Sequence, residues 1–129
     1  MRSLNSLIRS LDYTIVFARS MEAMRRFYSE VMEFELHREL GPQWVEYRVG
    51  STMLALTERG MMFDDIAPPD GALSLQLAFR VAPDEVAIAA SLLAHKGIAA
   101  SAVVDQSWGH RTLFFRDPDG NVLEIYAEI

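Results

Sequence analysis

Apolar and polar residues alternate along this chain in short blocks whose period shifts between that of a strand and that of a helix. Residues 11–18 (LDYTIVFA) are β-branched and aromatic and predict a strand. Ser20 then suits a helix N-cap, with Glu22 in the first turn. Met24, Phe27, Tyr28 and Val31 recur at spacings of three and four, which predicts a helix over 21–32. Residues 34–40, 43–49 and 52–57 read as three short strands, the last two joined by a Gly50-Ser51 hairpin turn. Residues 59–72 (RGMMFDDIAPPDGA) hold two Gly, two Pro and three Asp without periodicity, and predict a linker.

The second half repeats the order. Residues 73–81 predict a strand. A helix starts near Pro83, buries Val86, Ala89, Ala90 and Leu93, and ends at Gly97 in the left-handed position. Strands follow over 98–104, 110–116 and 122–128, and the last two are joined by DPDGN at 117–121. The chain therefore reads βαβββ twice, with residues 1–10 as a leader or frayed arm. The fold class is α+β. One domain over 1–129 contains two modules, 10–59 and 72–129, joined by linker 60–71. Neither module closes its sheet alone, so two of them are expected to curl mixed sheets around a concave cleft. Open sheet edges also predict a homodimer, with Met61, Met62 and Phe63 near the contact.

Composition narrows the function. Half of the residues are apolar and 23% are charged, the balance of a globular protein. The absence of cysteine removes disulfides, thiolate metal sites and cysteine nucleophiles. The net charge of −6 argues against nucleic acid as a partner. No apolar run is long enough to span a membrane, and residues 1–10 lack the apolar core of a secretory signal, so a cytoplasmic location is expected.

Strand parity assigns the cleft-facing residues. They are Tyr13, Ile15 and Phe17 in the first strand, Trp44, Glu46 and Arg48 in the third, and Met53, Ala55 and Thr57 in the fourth. The second half adds Gln76, Ala78 and Arg80, then His110, Thr112 and Phe114, then Val122, Glu124 and Tyr126. Tyr13, Trp44, Met53, Trp108 and Phe114 give the cleft an aromatic and soft apolar lining, suited to a planar organic ligand. Among the histidines, His95 complements a helix C-terminus and His37 lies on an exposed edge. His110, at a strand entrance, is the functional candidate. Asp64, Asp65, Asp117 and Asp119 read as solvated turn and linker acids.

Three runs carry a family likeness: LDYTIVFARSMEAMRRFYSEVMEFEL at 11–36, LQLAFRV at 75–81 and WGHRTLFFRDPDGNVLEI at 108–125. They resemble the glyoxalase/bleomycin-resistance/extradiol-dioxygenase (vicinal oxygen chelate) superfamily over nearly the whole chain. Glu33 departs from it, standing where the family usually has Gly after the first helix, which implies a less comfortable turn conformation or a turn built differently. The resemblance implies a glyoxalase-like fold. In metal-dependent relatives it implies ligands at positions matching Tyr13, Gln76, Glu124 and Ala55 here. Of these, Glu124 is an ordinary metal ligand, Gln76 a weak oxygen donor, Tyr13 a rare ligand and Ala55 none. Glu124 and Gln76 are thus weak metal candidates, no cofactor follows with force, and a divalent metal stays open.

The resulting expectation is a small-molecule-binding protein without the full ligand set. Its ligand site comprises Tyr13, Trp44, Glu46, Met53, Gln76, Trp108, His110, Phe114 and Glu124. Glu46, Glu124 and the negative net charge favour a cationic organic ligand. The alternative is a metal-dependent lyase or isomerase, or a ring-cleaving dioxygenase, of the same superfamily. A third reading is a structural or regulatory partner domain. Whether the protein is an enzyme is left open, with Glu124 and His110 as the catalytic candidates.

Overall fold

A computed structural model describes residues 2–129, and the chain divides into two compact units, Met1–Asp64 and Asp65–Ile129. Each unit is a four-stranded mixed sheet with helical packing on one face, as an α+β reading requires.

In the first unit a one-turn helix α1 (Leu4–Leu7) precedes β1 (Tyr13–Ala18). The expected arm over 1–10 therefore carries a capped turn: Ser3 and Ser6 exchange side-chain and backbone hydrogen bonds in a capping box. Met1 of that arm lies outside the described residues. Helix α2 (Met21–Arg26) starts at Ser20, whose Oγ accepts from the Ala23 N–H. It continues as a π-helical turn, Phe27–Val31, rather than as the regular helix expected to residue 32. The adjacent Phe27 and Tyr28 of this turn are both buried. The chain then leaves through Glu33 at φ +57°, the one positive-φ residue other than glycine among the described residues. Of the two outcomes expected at that position, the less comfortable conformation is the one present.

Strands β2 (Glu35–Glu39), β3 (Trp44–Val49) and β4 (Thr52–Glu58) complete the sheet in the order β1-β4-β3-β2, with β1 and β4 parallel. The second unit repeats that topology. Strands β5 (Gln76–Arg80), β6 (Val104–Asp105), β7 (His110–Arg116) and β8 (Val122–Glu128) form a sheet in the order β5-β8-β7-β6, again with its first pair parallel. Helix α3 (Glu85–His95) covers it with Val86 and Leu93 buried. Gly97 takes φ +75° past the helix end, and the Ile98 N–H reaches back to the Leu93 carbonyl at 2.9 Å.

Two expectations fail here. The strand over 98–104 shrinks to Val104–Asp105 plus an isolated bridge between Ala100 and Phe115. The Ser101 hydroxyl accepts from the Phe114 N–H at 2.8 Å, so a side chain takes a place in the ladder that backbone would otherwise fill. Asp117 is not a solvated turn acid but is buried. Its Oδ1 accepts from the Asp119 and Asn121 N–H groups, each at 3.0 Å, and its Oδ2 accepts from Asn121 Nδ2 at 2.9 Å. Asp117 thus holds the DPDGN turn together from inside.

Candidate functional site

Burial in β1 alternates. Val16 and Ala18 are buried, while Tyr13 and Ile15 face outward on the open side of the sheet. The ladders set Ile15 beside Ala55, Ala55 beside Glu46, and Glu46 beside Arg38. Glu46 is 0% exposed although it lies on the open face. Its Oε1 accepts from the Tyr13 hydroxyl at 2.9 Å. Its Oε2 accepts from Trp44 Nε1 at 2.9 Å and from Arg38 Nε at 2.7 Å.

Tyr13 reaches Glu46 from β1 to β3 across the intervening β4, a span of about 10 Å at two strand spacings. In the ladder Tyr13 is beside Met53 and Glu46 beside Ala55, so the bond runs diagonally over β4. Burial pushes the Glu46 carboxyl up, but hydrogen bonds from Trp44, Arg38 and Tyr13, with the Arg38 charge, outweigh it and hold the group below its ordinary value.

On the open face of the second unit, Gln76 Nε2 donates to Glu124 Oε1 at 3.0 Å. Ala78, Glu124 and Phe114 form one row, and Arg80, Tyr126 and Thr112 the next. The His110 ring stacks on Tyr126 with centroids 4.8 Å apart. Arg80 pairs with Glu128 at 3.0 Å, both exposed. Glu124 is half-buried, and Gln76 is its one hydrogen-bonded side-chain partner among the described residues.

The candidates therefore sort into two groups. Tyr13, Trp44, Glu46 and Met53 gather on the first unit's face, and Gln76, His110, Phe114 and Glu124 on the second's. Trp108 stands apart in a turn, 66% exposed. Sequence reasoning missed Arg38. Strict alternation along β2 sets Arg38 on the side of Leu36, away from Glu46. A register shift between Leu36 and Arg38 turns it over to pair with Glu46. The Leu-His-Arg-Glu run gives no advance signal of that bulge.

The divalent metal of the family's enzymes does not fit the residues at the matching positions. The first unit offers a phenol already donating to Glu46 and the methyl group of a buried Ala55. The second offers one carboxylate with an amide hydrogen-bonded to it. Among the described residues no group of three or more His, Asp or Glu is gathered to hold a metal ion.

Two βαβββ units, each opening its sheet with a parallel pair and keeping one face free of helices, define a glyoxalase-like protein. The chain belongs to the glyoxalase/bleomycin resistance protein/dioxygenase superfamily, whose family model matches residues 10–125. Solved structures agree in fold. An integron cassette protein from the mobile metagenome of the Halifax Harbour sewage outfall is 26% identical, with a TM-score of 0.74 over 93% of this chain and 99% of that one. A glyoxalase/bleomycin resistance protein/dioxygenase from Nocardioides is 20% identical, with a TM-score of 0.81 over 95% and 85%. A lactoylglutathione lyase from Agrobacterium tumefaciens is 22% identical, with a TM-score of 0.73 over 92% of each chain. A search among curated proteins found no match. No helix among the described residues is long and apolar enough to cross a membrane.

Proposed function

We propose that the protein binds a small organic molecule on its open sheet faces, without the metal centre of the family's enzymes. The observation that carries this reading is the Tyr13–Trp44–Glu46–Arg38 cluster. Three side-chain donors converge there on one buried carboxylate, beside outward-facing Ile15 and the half-buried Met53, on the face opposite buried Val16 and Ala18. A few fixed polar groups in an apolar and aromatic surround are the usual make-up of a small-molecule site. The expectation of a cationic ligand loses half of its support, because both oxygens of Glu46 are already occupied. It now rests on Glu124 and the net charge of −6. Exposed Met61, Met62 and Phe63 support a homodimer through that segment, which sedimentation would register as a particle of twice 14.6 kDa.

The test uses phenylacetamide, a neutral ring probe, added to the intact chain while the Trp44 indole N–H resonance is followed. Saturable movement of that resonance supports the reading. A flat response up to about 10 mM rejects it. The metal-dependent alternative is tested by elemental analysis of protein purified without chelator. About one equivalent of tightly held Ni, Zn, Mn or Fe would restore the enzyme reading in its place.

A further inference from the structure

We propose that the open face of the first unit binds organic carboxylates, with the Arg38 guanidinium as the anchor; this inference rests on the small-molecule reading above and names its ligand class. Arg38 gives one of its five N–H donors to Glu46, at 2.7 Å from Nε, and also lies close to the Tyr13 hydroxyl. The rest of the planar fork belongs to a side chain that is 55% exposed, while Glu46 behind it is closed to solvent. The buried carboxylate thus serves to aim the guanidinium outward. A guanidinium held in advance loses little side-chain freedom when a ligand arrives, and its fork matches a carboxylate by two parallel hydrogen bonds.

The charge on this face does not oppose an anion. Arg48 stands in the row of Tyr13 and Met53. Arg38 and Arg48 therefore offset Glu35 and Glu46 on this face, in a chain whose net charge is −6. Tyr13 and Ile15, 39% and 43% exposed, supply the apolar contact for the body of the acid. A planar or apolar monocarboxylate answers both features.

The experiment titrates phenylacetate and phenylacetamide into the intact chain and into Arg38→Gln and Arg38→Lys, reading Kd from the Trp44 indole N–H. Phenylacetate is expected to bind at least about tenfold more tightly than the amide, since charged hydrogen bonds are the stronger kind. Arg38→Gln should erase that preference and Arg38→Lys should restore part of it. Equal affinities for acid and amide in the unmutated protein would overturn the inference while leaving the small-molecule reading standing, and this arm needs no variant to fold. A preference for the acid that survives Arg38→Gln would overturn it too. Failure of both probes to move Trp44 up to about 10 mM would overturn the inference and the reading together.

Discussion

The two units of this chain run the same strand order, pair their first and fourth strands in parallel and leave one sheet face open. They differ in where the open face keeps its carboxylate. In the first unit Glu46 sits on the third strand, closed to solvent and holding Tyr13, Trp44 and Arg38. In the second, Glu124 sits on the last strand, half-buried, with Gln76 on one oxygen. The same scaffold thus consumes one acid to fix its neighbours and leaves the other available. The turns differ as well. A buried aspartate organises residues 117–121, whereas the matching hairpin at Gly50-Ser51 has a single side-chain bond, from the Thr52 hydroxyl to the Val49 carbonyl at 3.1 Å.

The turn contrast predicts the largest effect. Asp117→Ala strips three hydrogen bonds from a buried turn and is expected to cost about 2–4 kcal/mol in chemical denaturation. Ser51→Ala in the matching turn should stay within about 0.5 kcal/mol. Comparable losses at the two sites would mean that the turns are equivalent after all.

A smaller loss is expected from Glu46→Gln, about 1–3 kcal/mol at neutral pH, because Arg38 loses its charged partner and one of the donors to the carboxylate is left without an acceptor. The folded-state pKa of Glu46 is depressed. Its ionisation therefore stabilises the fold above the unfolded carboxylate pKa, and that contribution fades as pH falls through the lower folded value. The gap between unmutated protein and Glu46→Gln should accordingly narrow in acid. A gap that widens on acidification would contradict the assignment.

Helix exits give the finest contrast. The first unit leaves its helix through Glu33 at φ +57° and the second through Gly97 at φ +75°. Gly97→Ala meets no atom within 4 Å of the added carbon, so its expected cost of about 1 kcal/mol is backbone strain alone. Glu33→Gly should instead raise stability by about 0.5–1 kcal/mol, a shift visible in the thermal midpoint.

Much of this organisation was legible in the residues. Alternation in 11–18 and 122–128 marks which side chains stay on the open face, and it sets Gln76 and Glu124 on the same face, where they are hydrogen-bonded. Where Ser20 and Gly97 bound the helices, local capping chemistry was enough to find the ends. The misses differ in cause: Asp117 is held by bonds within its own turn, whereas Ser101 and Arg38 depend on a contact distant in sequence or on a one-residue slip. The Phe27–Val31 turn departs from the regular helix that periodicity predicts, and Ser101 replaces a strand by bonding Phe114. Arg38 joins Glu46 only because β2 bulges. Periodicity holds no record of such events, and the bulge decides the sign of the charge offered by the first face.

Ionisation of Glu46 tests the central claim most directly. Following the Glu46 side-chain carboxyl carbon by NMR through an acid titration should give a midpoint below the ordinary glutamate range. The Trp44 indole N–H should move at the same midpoint, because its donor bond ends on that carboxylate. A Glu46 midpoint in or above the ordinary range, with Trp44 unmoved, would mean that Tyr13, Trp44 and Arg38 do not converge on this acid, and that nothing aims the guanidinium.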